Sequence, residues 1–436
     1  MQFSVFDYVL PPVFFIASVF VCTTLPMLSG GTLLLLPVLL FAALLAVYLV
    51  FLHLEPRIRL ILVSVSALLL LGRLFFFSIE TSDFTDFLKP WTEWLRANGH
   101  FRRLGTEIGN YNVPYMVLLA LFSCFDFPEL YLIKYTGVLC DLLQAFCLFG
   151  IVYTVSRSTL RAAVAYSVSL LLPTVFINAS VWGQCDSLYV SLALLAFYLC
   201  LNQKSAAGMI ALGVSFAFKL QAVFLIPVFF PFLLSGRLKW RSLPLFPAAY
   251  LLAVSPALLT GRRFRDVVLF YVSSASTVGS ALNYNSPSIF ALPTVYGRFA
   301  SDRLSMLGIA LAALLCLLCC LLFLLRRKKI NQEALLFAAL LLTCGIPLFL
   351  PHMHDRYFYF CDVLTLAVAC VYLPAAPLVL CAQFASLLGY YAYFHLRYLF
   401  PMRYGCYAML LIFLSAGILL LRALFRQEEG QTQLPS

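Results

Sequence analysis

The sequence predicts an all-α, polytopic membrane protein, and two observations carry that prediction. The chain is 63% apolar and only 11% charged, with a mean hydropathy of +0.97, an excess that a soluble core does not need. Its apolar residues also gather into runs near the ~20 residues that cross a bilayer as a helix, separated by charged or Gly/Pro breaks. The 436 residues leave room for a dozen or so such helices and for no sizeable soluble domain.

Taken in order, the runs place spans near 10–28, 32–53, 59–79, 132–154, 160–178, 187–201, 206–218, 221–235, 243–260, 304–325, 333–350, 357–373, 377–396 and 405–424. That amounts to about 12–14 transmembrane helices. The N-terminus, Met1-Gln-Phe-Ser-Val-Phe-Asp7, lacks the basic start of a signal peptide, so the first span is expected to be retained. The stretches 206–218 and 221–235 are short and read as half-helices or tilted spans. No internal repeat supports an inverted duplication. Segment 80–131 is the longest break. Within it, Lys89 to Leu95 sets Trp91, Trp94 and Leu95 along one side, the pattern of an interfacial helix lying in the membrane surface. Residues 114–125 are apolar but too short to span, and read as a second surface or re-entrant helix.

Short basic loops orient the chain. Arg326-Arg-Lys-Lys329 is the strongest marker, and Arg57, Arg59, Arg157, Arg161, Arg237, Lys239, Arg241, Arg422 and Arg426 fall on the same, cytoplasmic side. Both termini are then cytoplasmic, in the plasma membrane if the source is bacterial. Segments 80–131, 179–186, 261–303, 351–356 and 397–404 lie outside. They too are basic, with Lys89, Arg96, Arg102, Arg103, Arg262, Arg263, Arg265, Arg298, Arg303, Arg356, Arg397 and Arg403. The net charge of +11 therefore points to lipid headgroups and a phosphate-bearing ligand, not to nucleic acid. The 14 cysteines show no metal spacing and no convincing bridge; most lie in apolar runs, as Cys316, Cys319 and Cys320 do, and act there as small apolar side chains.

Four clusters carry chemistry. Asp83 and Asp86, in Thr81-Ser-Asp-Phe-Thr-Asp-Phe-Leu-Lys-Pro-Trp91, follow a long apolar run and would share one face of a helix. Carboxylates so close to hydrocarbon point to function, as a base or a metal ligand. The plainer reading makes Ser82 or Asp83 a helix cap. Val181-Trp-Gly-Gln-Cys-Asp-Ser-Leu188 groups Asn178, Gln184 and Asp186 at the end of a span, suited to sugar hydroxyls, with Trp182 as a stacking face or an interfacial anchor. In Phe218-Lys-Leu-Gln-Ala222, Lys219 interrupts an apolar stretch and either snorkels or meets a phosphate or an acid, beside Gln221. Pro351-His-Met-His-Asp-Arg-Tyr357 is the densest polar cluster. Arg356 suits bidentate phosphate binding, and His352 with His354 are two zinc-type ligands but too few to name a metal. Asn110-Tyr-Asn-Val-Pro-Tyr115 and Asn283-Tyr-Asn-Ser-Pro287 read as turns.

In this order, Asp-Phe-x-x-Phe-Leu-Lys-Pro-Trp, Tyr-Asn-Val-Pro-Tyr, Trp-Gly-Gln-x-Asp-Ser, Lys-x-Gln and Met-His-Asp-Arg-Tyr, the chain resembles the type-C glycosyltransferase superfamily. The likeness is nearest to bacterial mannosyltransferase-like proteins related to the second mannosyltransferase of GPI-anchor synthesis. It runs from about residue 59 to 373, within a single membrane domain that has extra spans at 1–58 and C-terminal spans at 374–436. Relatives read Met-His-Glu-Arg where this chain has Met353-His-Asp-Arg356, and two spans precede the one feeding the acidic loop. The resemblance implies an inverting transfer of a hexose, mannose being one candidate, from a polyprenyl-phosphate sugar to a glycan, lipid or protein acceptor on the extracytoplasmic face. It assigns Asp83 as the catalytic carboxylate, with Asp86 beside it. Lys219, Arg356, His354, Arg262 and Arg263 are expected at the donor phosphate, and Trp182, Gln184, Asp186, Gln221 and Asn112 at the sugar or acceptor. No cofactor is named with certainty, and a divalent metal is left open. Asp83, Asp186, Lys219 and Arg356 are expected to line one cavity. Two other readings are a transporter or flippase of lipid-linked glycans and a surface-glycan polymerase or ligase. The gathering of polar residues on one face favours an enzyme over a transporter, whose site lies at the midplane.

Overall fold

The computed structural model describes residues 5–26, 28, 32–275, 281–292 and 298–426. The expectations for residues 1–4, the tail 427–436 and the Arg298 side chain lie outside the described residues. The helices are α1 (Val5–Cys22), α2 (Thr32–Val50), α3 (Pro56–Leu74), α4 (Lys89–Ala97), α5 (Val113–Ser123), α6 (Glu129–Ser156), α7 (Thr159–Leu171), α8 (Pro173–Phe176), α9 (Asp186–Leu201) and α10 (Ser205–Phe218). They continue as α11 (Phe229–Leu234), α12 (Leu245–Leu259), α13 (Phe264–Val268), α14 (Phe270–Ala275), α15 (Arg298–Leu325), α16 (Gln332–Phe349), α17 (Tyr359–Val371), α18 (Ala376–His395) and α19 (Arg403–Phe425). Two π-helical turns, Phe84–Leu88 and Ile177–Trp182, precede α4 and continue α8. Among the described residues the strands are two residues each, β1 (Asn283–Tyr284) paired in parallel with β2 (Met353–His354).

This is the predicted all-α polytopic membrane protein. Among the described residues, seven helices are long and apolar enough to cross a bilayer, at 32–50, 129–156, 240–259, 301–325, 332–349, 373–395 and 403–425. The bent pair Thr159–Leu171 and Pro173–Trp182 makes an eighth, and six further apolar helices are shorter. Among the described residues, prolines break two of the predicted runs. The run at 221–235 becomes a 3₁₀ stretch, Leu220–Val228, and then α11, with Pro227 and Pro231 inside them. The run at 160–178 bends by 50° where Pro173 removes a donor and pushes Leu172 to φ −54°, ψ 124°. None of the fourteen cysteines forms a disulfide.

The described chain forms two compact units. The first comprises residues 1–222 and 241–279. In it α6 packs on α7 and α9, α9 on α10, and α10 on α12. Small residues allow close approach, Gly137 against Ala179 and Gly150 against the Tyr198 ring. Buried polar groups pair across the helices. The Arg73 guanidinium forms an ion pair with Asp141, and donates to Ser180 Oγ at 3.3 Å and to Leu170 O, a last-turn carbonyl of α7, at 3.0 Å. The second unit comprises residues 223–240 and 280–436. Its centre is α16, with 83% of its apolar window buried among α15, α17 and α19.

Arg73 and Asp141 are 1% and 0% exposed, so removing either leaves an uncompensated charge inside the unit. Arg73→Ala or Asp141→Ala is expected to destabilise by roughly 3–5 kcal/mol, and the double change Arg73→Met/Asp141→Leu by clearly less. Unfolding titrations in mixed micelles measure this. A double variant no more stable than the singles would show that charge compensation is not what the pair contributes.

Candidate active site

The site begins where α3 stops. Beyond Leu74 the chain turns, and the carbonyls of Phe76 and Ile79 accept from the buried ammonium of Lys134, on α6, at 2.9 and 2.6 Å. The chain then meets the segment after α8. Thr81 Oγ1 donates to Trp182 O at 3.2 Å. Asp83 Oδ2 accepts from Trp182 Nε1 at 2.9 Å and from Gln184 Nε2. Asp83 opens the Phe84–Leu88 turn without capping it through its side chain, so its carboxylate is turned to the neighbouring segment instead. Asp83 is half-buried and Asp86 exposed; Asp86 Oδ1 accepts from Thr85 Oγ1 at 3.1 Å. The shared face expected for an α-helix is lost because π winding closes i→i+5 and changes the angular step.

The partner segment has its own constraints. After the Pro173 break, the π-helix Ile177–Trp182 ends at Gly183 in the left-handed region, φ +75°. A Cβ there would lie 3.7 Å from Ile133 and from the Lys134 stem. Gln184 N then donates to Asn178 O at 2.9 Å. This turn presents the two donors of Asp83 from residues 182 and 184. Trp182 is 1% exposed, so its indole reaches the site through Nε1 and offers no open face for the stacking expected of it. Tyr111 OH donates to Gln184 Oε1 at 3.4 Å. Its loop is set by Gly109, φ +67°, where a Cβ would strike the Trp91 ring at 2.5 Å.

Asp186, fully buried, opens α9 and joins the second cluster. It accepts from Asn178 Nδ2 at 2.9 Å and forms an ion pair with Lys219. Lys219 leaves α10 in an extended conformation, φ −155°, ψ 136°, 5.6 Å from the Tyr189 ring centroid. The end of α10 is held by Ala217 O, which accepts from Asn112 Nδ2 at 2.9 Å and Tyr271 OH at 3.1 Å. Asn112 also caps α5, accepting from Val113 N at 2.8 Å, so both ends of its side chain are engaged. Gln221 is half-buried, and its Oε1 has no hydrogen-bond partner among the described residues. Asp83, Gln184, Asp186 and Lys219 therefore meet along one segment, 178–186. Arg262 forms an ion pair with Glu107 at 3.2 Å, while Arg263 is exposed. Lys134 and Tyr111 escape a sequence reading: a lysine near a span boundary and a tyrosine in an Asn/Pro turn are ordinary features there.

Unit 2 holds the late cluster. The β1–β2 pairing sets Tyr284 opposite His354, whose rings stack at 4.6 Å and 8°, and Tyr357 meets the imidazole at 5.2 Å. His352, at φ +60°, directs Nδ1 to Ala281 O at 2.7 Å. The two imidazoles thus serve different partners. Arg356 Nη1 pairs with Asp355 Oδ1 at 3.4 Å, and its side chain is 17% exposed. Tyr398 OH donates to Asn285 Oδ1 at 2.6 Å; partial burial, with Asp355 adding to it, pushes this phenol up and keeps it a donor. Among the described residues no three His, Cys, Asp or Glu side chains gather as a metal site.

The sequence model of Glycosyltransferase family 87 matches residues 110–351. No curated protein matches the chain.

Gly183→Ala tests the turn. A side chain in the left-handed region costs about 1–2 kcal/mol, while the added Cβ would meet Ile133 and Lys134 only at ordinary contact distance, 3.7 Å. The variant is expected to melt lower by that amount and to lose activity beyond what the lost stability explains, because Trp182 and Gln184 shift together. Full activity in folded Gly183→Ala would show that the turn does not position the site.

Proposed function

The chain belongs to Glycosyltransferase family 87, and from that premise we propose that this integral-membrane glycosyltransferase takes its sugar from a polyprenyl phosphate and uses Asp83 as the general base. The supporting observation is the pair of donors, Trp182 Nε1 and Gln184 Nε2, on one oxygen of a half-buried carboxylate at the end of an apolar run. A base must be fixed in orientation to take a proton in the transition state, and these donors fix it. The acceptor hydroxyl gives its proton to Asp83, and its oxygen bonds to the anomeric carbon. The bond from that carbon to the phosphate oxygen breaks on the opposite side, and the lipid phosphate leaves with the electron pair. The anomeric configuration inverts.

The remaining roles follow from charge and burial. Lys219, held by Asp186, is assigned to the developing charge on the leaving phosphate, as positioned cations stabilise a transition state, and Arg356 is a separate candidate for binding the donor phosphate. Arg262 and Arg263 draw the anionic donor from outside, and His354 orients beside Arg356. Gln221 Oε1, buried and without a partner, is assigned to a sugar hydroxyl. Asp186, Asn112 and Trp182 act one step back, by fixing Lys219, the end of α10 and Asp83. Asp86 is assigned to acceptor orientation. A hexose is the transferred group in this reading. The basic turn at 326–329 marks the cytoplasmic side, which puts transfer on the extracytoplasmic face.

Asp83→Asn is expected to fold and to lose ~10²–10⁴ in transfer rate with purified protein and a synthetic polyprenyl-phosphate sugar, and Asp86→Asn considerably less. Undiminished turnover in Asp83→Asn gives the base role to another group. Arg356 is tested by titrating the donor. Loss of a charge-assisted bond is worth roughly 1.5–3 kcal/mol, or about 10–150-fold in affinity, for Arg356→Ala. Arg356→Lys is expected to lose less, because it keeps the charge without the paired geometry. Unchanged donor affinity with a lower melting temperature would leave Arg356 only a structural role.

A further inference from the structure

A cavity lies within unit 2 at the polar end of three helices. It has a volume of about 620 Å³ and is lined by the start of α16 and the ends of α17 and α19. Its walls change character along its depth. Phe337 and Leu419 form an apolar floor, while Asn331, Glu333, Arg422 and Arg426 line the polar part. The turn after α15 closes on the same place. The Arg326 guanidinium lies 3.7 Å from the Phe425 ring centroid, and Asn331 Nδ2 donates to Ala423 O at 3.3 Å. Among the described residues, Arg422, Arg426 and Glu333 make no ion pair or side-chain hydrogen bond. The guanidinium groups of Arg422 and Arg426 are therefore available to an anion.

We propose that this cavity binds an anionic phospholipid, its phosphate on Arg422 and Arg426 and the upper part of an acyl chain on Phe337 and Leu419. Three observations point to a lipid in preference to a free anion. The helices that build the cavity include two candidate spans, α16 and α19, so it opens where headgroups lie. The floor is apolar, which a phosphate alone has no use for. The volume falls in the range of ordinary ligand pockets, ~300–1,000 Å³. Basic pockets between spans commonly take anionic headgroups. Arg326, Arg327, Lys328 and Lys329 at the adjoining turn raise the local concentration of such lipids, each basic residue adding to the attraction. Glu333 weakens the site electrostatically and selects against a headgroup with more than one phosphate.

The test uses the purified full chain in a neutral detergent, with bound species counted by native mass spectrometry. It is titrated separately with short-chain phosphatidylglycerol, short-chain phosphatidylcholine and inorganic phosphate. Phosphatidylglycerol is expected to bind at least about 10-fold more tightly than either. Arg422→Ala/Arg426→Ala is expected to lower its affinity roughly 10–100-fold, since each lost charge contact is worth close to a factor of ten. Glu333→Gln is expected to tighten it. Leu419→Trp fills the floor, keeps both arginines and is expected to expel the lipid; it serves as the test if the double variant fails to fold. Equal affinity for the two lipids overturns the proposal, as does phosphatidylglycerol binding unchanged by Leu419→Trp or by the arginine changes. Inorganic phosphate binding as tightly as phosphatidylglycerol also overturns it, leaving a simple anion site.

Discussion

One buried ammonium organises the site. Lys134 is fully buried on α6, and it donates to the carbonyls of Phe76 and Ile79 just past the end of α3. A helix that stops leaves carbonyls without partners, and inside an apolar unit those groups demand one. By taking two carbonyls of the loop that follows, Lys134 anchors the chain between the end of α3 at Leu74 and Asp83. The same side chain lies beside Gly183, between the two residues that hold Asp83. The loop after α3, Asp83 and the Gly183 turn are thus brought together around one buried ammonium.

The same rule recurs one layer away. Pro173 breaks a run that would otherwise be one straight span, and Arg73 takes up Leu170 O on the near side of the break while pairing with Asp141. Polar groups in this chain are thus found where helices are interrupted. The interruptions in turn place the short segments 75–88 and 172–186 against each other. The candidate site lies at these interruptions because an unbroken apolar helix has no free backbone group or carboxylate to offer a polar ligand.

Much of this was legible in the sequence, and the exceptions have physical causes. Apolar runs forecast the helices, and the polar residues that break them forecast Asp83, Gln184 and Lys219. The bend at Pro173 was not forecast, since hydropathy counts side chains and a proline leaves the run apolar. Trp182 was read as a surface ring, yet it is an interior donor; a tryptophan beside a span suits either place. Lys134 was hidden because a lysine near the start of a span reads as a boundary marker, and only the fold shows which carbonyls it meets. The pairing of Asp186 with Lys219 joins residues 33 apart, which no local pattern reveals.

The two segments that flank Asp83 and its donors, Phe84–Leu88 and Ile177–Trp182, are both π-helical. A π-turn is what an α-helix becomes when it absorbs one additional residue without growing by a full turn. The alignment of Asp83 with Trp182 and Gln184 can therefore be understood as a matter of phase. Losing a single residue from either stretch would return it to ordinary winding, leave its hydropathy almost untouched, and swing the side chains beyond it to another azimuth. Insertions and deletions, which loops absorb freely, are for these two half-turns the most disruptive kind of change, more so than most substitutions of the residues between.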